Sequence, residues 1–294
     1  MAKIIDGKAI SAAIKDEIKE KTQILFKEKG IRPGLAVLLV GEDPGSMAYV
    51  RSKEKTANEL GFLSIVERVS DTISEKDVLA FVEKWNNDPT IHGILVQLPL
   101  PKHIDEHKVI RTIRPYKDVD GFHPENIGRL VIGLPGFVPC TPRGIMEMLR
   151  RSEIETSGKH VVVAGRSNIV GKPIANLLYQ KNKYANSIVT IVHTGAKDIR
   201  QYTLQADILV AAMGVAERIK ADDVKDGVVI IDVGMNRVDD PGKEKGYRLT
   251  GDVDFADVSP KASAITPVPG GVGLMTVAML MQNTYDSAAG LLKY

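Results

Sequence analysis

The sequence predicts an α/β protein of two domains, each built on parallel strands. Short apolar runs bounded by turn residues, such as "LAVLLVG" at 35–41, read as buried strands. They alternate with longer helix-like stretches, the rhythm of right-handed βαβ units and a parallel sheet. A segment rich in Pro and Gly over 115–145 interrupts the rhythm, which then resumes. The expected domains are 1–143, completed by a helix within 272–294, and 144–271.

In chain order, residues 6–29 read as one amphipathic helix ended by Gly30, followed by the strand at 35–41. A helix carrying Tyr49 and Lys53 comes next, then a strand near 63–69. Ser74, with Asp77 three residues on, gives a capping-box-like start to a helix over 74–87. "GILVQLPLP" at 93–101 reads as a strand that Pro99 and Pro101 stop. The 115–145 segment has no sustained period and reads as an active-site loop and a domain boundary, with a linking helix over 142–151. The second series has strands at 160–164, 188–193, 207–211 and 228–232, a helix at 171–181, and a last helix from about 274 to 292.

The chain has 294 residues, 44% hydrophobic and 26% charged, the composition of a globular protein with a sizeable core. A net charge of +2 gives no electrostatic pull toward nucleic acid or an anionic membrane. No apolar run approaches the roughly 20 residues that span a bilayer. The opening "MAKIIDGKAI" lacks the apolar core of a signal peptide. The single cysteine, Cys140, excludes an internal disulfide and fits a reducing cytosol. The six histidines are scattered, without HExxH or a Cys/His cluster, so no metal is expected.

"HVVVAGRSNIVGKPIANLL" joins a strand, a tight turn at Gly165 and a helix beginning near Gly171. The spacing G-R-S-x-x-x-G is not G-x-G-x-x-G, so alone it fits an ordinary βα turn as well as a phosphate cradle. For the cradle, Gly165 permits the sharp turn and the helix N-terminus can receive a phosphate. Pro173 suits the first helical turn. The next strand ends with His193 and Thr194, and no acid comes before Asp198. A carboxylate there would grip ribose hydroxyls and repel a 2′-phosphate, so its absence permits NADP. Arg166 is either a planar cation for that phosphate or a solvated loop arginine.

Tyr49 and Lys53 stand four residues apart on one helix. Either Lys53 snorkels on a surface face, or an aromatic platform stands beside a reactive ammonium. Asp118 and Asp120 of "DVD" read alone as a solvated turn or a metal-binding acid pair. Taken in order, "YVRSK", "VQLPLP", "KDVDGFHPENIGRL", "GRSNIVGKP", "IDVGMNR" and "PVPGGVG" resemble the bifunctional methylenetetrahydrofolate dehydrogenase/cyclohydrolase family of the bacterial FolD type. The resemblance runs from "KIIDGK" to the final helix. It implies an N-terminal folate-binding catalytic domain, a Rossmann-type NADP-binding domain with a parallel sheet, and a cleft between them. It also implies two reactions of one-carbon metabolism and purine biosynthesis. NADP⁺ oxidises 5,10-methylenetetrahydrofolate to the methenyl cation, and water opens that cation to 10-formyltetrahydrofolate. Tetrahydrofolate substrates, NADP as cofactor, and a homodimer formed through the Rossmann domains follow from the same resemblance.

The resemblance also implies residue roles. Tyr49 would stack on the folate, Lys53 would sit beside the one-carbon bridge, Gln97 would orient Lys53, and Asp120 would accept N–H bonds from the pterin. Val96, Leu98, Pro269, Gly270 and Gly271 would border the substrate. Gly165, Arg166, Ser167, Thr194 and Met235 would contact NADP, Met235 through its backbone. Thr194 stands where serine is frequent, and Leu274 where proline is usual. Cys140 reads as structural and the 9 Met residues as core filling. Three other readings compete: a monofunctional dehydrogenase of the same fold, a non-catalytic Rossmann nucleotide sensor, and a shikimate- or amino-acid-type dehydrogenase. Lys53, Gln97 and Asp120 together speak against the first two, and "DVDG" with "PVPGGVG" against the third.

Overall fold

A computed structural model describes residues 2–243, 246–292 and 294. Strand β1 (Lys3–Ile4) leads into helix α1 (Gly7–Lys29), then β2 (Gly34–Val40), α2 (Pro44–Glu59), β3 (Leu63–Val69), α3 (Glu75–Asn87), β4 (Gly93–Val96), α4 (Glu106–Thr112) and α5 (Pro124–Val131). Helix α6 (Cys140–Arg151) opens the second series of β5 (His160–Ala164), α7 (Gly171–Tyr179), β6 (Ile188–Val192), α8 (Arg200–Thr203), β7 (Ile208–Ala211) and β8 (Val229–Asp232). The rest is β9 (Asn236–Asp239), β10 (Tyr247–Thr250), α9 (Phe255–Val258), β11 (Ala264–Ile265) and α10 (Val272–Ala288). The chain divides into two compact units, Ala12–Cys140 with Val277–Tyr294, and Met1–Ser11 with Thr141–Thr276.

The first unit has three parallel strands in the order β3-β2-β4. Strand β2 is central, and all seven of its residues are buried. That explains its unbroken apolar run, since a covered parallel strand leaves no face for polar residues. Val78, Val82 and Trp85 of α3 pack with Ile94 and Val96 of β4 in one core. Each fully buried side chain of this kind contributes roughly 1.5–3 kcal/mol. The cap of α3 forms as its sequence signals: Ser74 Oγ accepts from the Asp77 N–H at 3.2 Å. Helix α2 starts in the same way, with the Asp43 carboxylate accepting from the Ser46 N–H at 2.7 Å and Pro44 in the first turn.

The second unit is a six-stranded, wholly parallel sheet in the order β6-β5-β7-β8-β11-β1. Counted from β5, the first five run 2-1-3-4-5, a doubly wound order with its switch point between β5 and β7. Strand β1 is the sixth, paired with β11. The N-terminal strand, assigned by the sequence reading to the first domain, therefore lies in this unit. A separate antiparallel ribbon joins β9 to β10.

Several local expectations change. The Pro- and Gly-rich segment contains α5, where His123 Nδ1 accepts from the Glu125 N–H at 3.1 Å and Pro124 fills the first turn. The strand read at 93–101 ends at Val96; the Gln97 N–H still donates to Leu38 O at 2.9 Å, but Pro99 has no N–H to extend the ladder. Helix α7 stops at Tyr179, and α10 spans 272–288. Among the described residues, no helix is long and apolar enough to cross a membrane.

Candidate active site

In the first unit, α2 presents Tyr49 and Lys53 one turn apart. Lys53 is only 5% exposed, which overturns the surface-lysine reading. Its Nζ donates to Gln97 Oε1 at 2.8 Å and lies 5.6 Å from the centroid of the Tyr49 ring. Gln97 follows β4, and its Nε2 donates to Leu98 O at 2.7 Å. That second bond turns the amide oxygen toward the lysine. A buried ammonium held by a neutral amide is poorly compensated, and burial pulls the Lys53 pKa below the usual lysine range. The charge of Asp120 acts in the opposite sense. Tyr49 remains 38% exposed, and burial of the rest raises its phenol pKa.

The two acids of "DVD" have different surroundings. Asp118 is buried, and its Oδ2 accepts from the His123 N–H at 2.7 Å and from Asn126 Nδ2 at 2.9 Å. It ties the turn together. Asp120 is half-buried. Burial raises its carboxyl pKa, against the charge of Lys53 and a hydrogen bond from Cys140. Between them, the Val119 carbonyl accepts from Asn283 Nδ2 at 2.6 Å and from Cys140 Sγ at 3.4 Å. Gly121 has φ +77°, and a Cβ there would come 2.6 Å from the Pro139 nitrogen. Only glycine fits that close approach without strain. Cys140 is buried as a packing cysteine should be, and its thiol lies against the turn that carries Asp120, donating to Val119 O, which its sequence context did not signal. Val96 is buried and Leu98 half-buried beside Gln97. Tyr49, Lys53, Val96, Gln97, Leu98 and Asp120 thus belong to one unit. No group of three or more His, Cys, Asp or Glu that could hold a metal occurs among the described residues.

In the second unit, β5 is followed by Gly165, whose φ is +138°. A Cβ there would collide with the Ala212 carbonyl after β7, so the turn requires glycine. Ser167 Oγ accepts from the N–H groups of Val170 and Gly171, at 3.1 and 3.3 Å. Its hydroxyl proton is left for an external acceptor. Arg166 is exposed and has no side-chain partner among the described residues. Thr194 is exposed after β6. The nearest acid, Asp198, accepts from the Arg200 N–H at 2.9 Å, just before α8. Met235 is 47% exposed after β8. Gly165, Arg166, Ser167, Thr194 and Met235 all follow the carboxyl ends of parallel strands, the side on which doubly wound sheets bind ligands.

Two acids that the sequence reading left unremarked hold the neighbouring loops. Asp252 is fully buried and accepts from the backbone N–H groups of Gly214 and Val215 and from Asn236 Nδ2, at 2.9, 3.0 and 2.9 Å. Asp232 accepts from the N–H groups of Gly234, Asp252 and Val253 at 2.9–3.0 Å. An acid at the end of an apolar strand, as in "IIDVG", is the one signal that could have drawn attention to this pair. Pro269, Gly270 and Gly271 lie in this unit too, between β11 and α10, and Leu274 sits in the first turn of α10.

Comparison with known proteins assigns both halves. A model of the tetrahydrofolate dehydrogenase/cyclohydrolase catalytic domain matches residues 5–120, and one of the same family's NAD(P)-binding domain matches 139–291. The bifunctional protein FolD of Pelodictyon phaeoclathratiforme is 58% identical over 286 residues, 97% of each chain. The crystal structure of the bifunctional enzyme FolD from Campylobacter jejuni is 48% identical, with a TM-score of 0.93 over 99% of this chain and 100% of that one. The FolD structure of Trypanosoma brucei, complexed with NADP cofactor and an inhibitor, is 40% identical, with a TM-score of 0.93 over 99% and 98%. With its two halves matched in order and its relatives aligned over nearly their whole length, the chain belongs to the tetrahydrofolate dehydrogenase/cyclohydrolase family.

Proposed function

We propose that this chain oxidises 5,10-methylenetetrahydrofolate with NADP⁺ and hydrolyses the resulting 5,10-methenyltetrahydrofolate to 10-formyltetrahydrofolate. The unit of Ala12–Cys140 and Val277–Tyr294 is the folate-binding catalytic domain, and the other unit binds NADP. The observation that carries the reading is the buried Lys53, held on Gln97 beside the open face of Tyr49. A lysine with a lowered pKa can exchange protons with the water that attacks the methenyl carbon. A cationic substrate beside it lowers that pKa further, since both burial and like charge disfavour the ammonium. Gln97 keeps Nζ aimed, Tyr49 stacks on the folate, and Asp120 accepts the N–H donors of the pterin edge. Val96 and Leu98 border the substrate. The Lys53–Gln97 pair favours the two-step enzyme over a dehydrogenase without hydrolase activity, because hydride transfer alone has no use for it.

The residues of the second unit fit NADP. The Gly165 turn leaves no room for a side chain, Arg166 is an exposed planar cation without a partner among the described residues, and no free carboxylate stands at the end of β6. Arg166 pairs with the 2′-phosphate, while Ser167 and Thr194 supply hydroxyls and Met235 a backbone contact. When bound, NADP⁺ accepts the hydride that the methylene bridge gives up. The enzyme works as a cytosolic homodimer in one-carbon metabolism and purine biosynthesis. An absorbance assay with methylenetetrahydrofolate tests the reading. Reduced cofactor should form faster with NADP⁺ than with NAD⁺, and methenyl product should rise and then decay. No reduction with either cofactor would refute it.

A further inference from the structure

The proposed chemistry depends on where Asp120 stands, and Asp120 lies on a turn between Pro115–Lys117 and α5. Asn126, which is wholly buried, ties that turn down. Its Nδ2 donates to Asp118 Oδ2 and to Pro115 O, both at 2.9 Å. Both amide donors are thus used on the turn, and Oδ1 faces the other way and needs donors of its own. Tyr294 provides one: its hydroxyl donates to Asn126 Oδ1 at 2.8 Å. Among the described residues one other donor reaches it: the Phe137 N–H, at 3.4 Å, which is shared with Tyr294 Oη at 3.2 Å.

The ring of Tyr294 is bracketed for this task. The rings of Phe137 and Tyr116 stand 6.0 and 6.3 Å from it, and the Arg129 guanidinium lies 4.7 Å from its centroid. Arg129 is itself held by Glu125 Oε1 and Pro135 O, each at 3.1 Å. Burial raises the phenol pKa, so the hydroxyl keeps its proton and remains a donor.

We propose that Tyr294 is a positioning residue for folate binding: its hydroxyl, acting through Asn126, fixes the turn that carries Asp120. Without it, the Asn126 oxygen keeps only a long, shared bond, the amide loses its fixed orientation, and its hold on Asp118 slackens. The inference rests on the folate role of Asp120 proposed above.

Steady-state kinetics on the full chain test it, with thermal melting to show that each variant is folded. Tyr294→Phe keeps the ring and removes the hydroxyl. It should raise KM for methylene- and methenyltetrahydrofolate alike by about three- to tenfold, the value of one neutral hydrogen bond. Its KM for NADP⁺ and both kcat values should stay within about twofold of wild type, since neither depends directly on this bond. Tyr294→Leu, which also loses the bracketed ring, should raise the folate KM values further. Asp120→Ala serves as the reference. If it raises the folate KM values and Tyr294→Phe does not, the positioning role falls and the folate reading stands. An equal rise in the KM for NADP⁺ would reveal a general disturbance and also overturn the role. Unchanged folate KM values in Asp120→Ala would overturn the folate reading and this inference with it.

Discussion

Lys53 and Asp232 show how burial sets the chemistry of single groups. For Lys53, hydride transfer needs only a positioned substrate, whereas hydrolysis needs proton movement around water. Lys53→Met keeps much of the side-chain length and removes the amine. It should retain measurable dehydrogenase activity and lose cyclohydrolase activity by about two to four orders of magnitude, so that methenyl product accumulates. A folded Lys53→Met protein that hydrolyses methenyltetrahydrofolate at the wild-type rate would sink the proton-transfer role. Asp232 carries a prediction about stability. Burial raises its pKa from an ordinary 3.8 to about 6, despite three backbone N–H bonds and with help from the charge of Asp252. An acid whose folded pKa exceeds its unfolded one binds its proton more tightly when folded. Its stabilising effect is present at low pH and is lost as pH rises from about 4 to about 6, an interval worth about 3 kcal/mol. Asp232→Asn cannot ionise. Its unfolding free energy relative to wild type, from urea titrations, should improve by about 3 kcal/mol between about pH 4 and pH 7. A difference independent of pH would contradict the assignment.

At the scale of elements, Leu274 departs from the family pattern without disturbing α10. The helix begins at Val272, Leu274 is 42% exposed, and its N–H makes only a 3.3 Å bond to Gly271 O. A first-turn position tolerates proline, so Leu274→Pro should change stability by no more than about 1 kcal/mol, in the stabilising direction if the stiffer unfolded chain dominates. A loss above about 2 kcal/mol in thermal unfolding would show that the N–H bond matters more than its length implies. The elements legible in the sequence were those with a single strong signal, such as β2 with its fully apolar run and α3 with its Ser74 cap. Helix α5 was hidden because Gly128 and the flanking Pro and Gly masked an eight-residue period, although Pro124 marked its start. The β9–β10 ribbon alternates weakly, with half-buried and exposed residues on most positions, so no core face disclosed it. Of the site, the motifs supplied Lys53, Gln97 and Asp120. That Lys53 is buried on Gln97, 44 residues away, is a product of the fold, and so are the roles of Asn126 and Tyr294 as supports.

For the whole molecule, the proposed dimer has a candidate surface in β6. This strand is at the sheet edge, with β5 as its one partner, and exposes Ile188 at 65% and Ile191 at 43%. An exposed apolar edge strand invites pairing with another chain. Ile188→Lys should shift the protein from dimer to monomer in sedimentation at micromolar concentration while leaving its folding intact. An unshifted dimer would place the contact elsewhere. The chain also passes between its two units three times, after Ser11, Cys140 and Thr276. This has a consequence for synthesis on the ribosome. The NADP-binding unit has all its strands once residue 276 has emerged, yet the folate unit still lacks residues 277–294, which bring Asn283 and Tyr294 to the Asp120 turn. At about 5–20 residues per second, the stretch from residue 140 to residue 294 takes roughly 8–30 seconds to make. For that interval the nascent folate half waits with its turn unsupported, and the half whose sheet is complete first is the last to be finished.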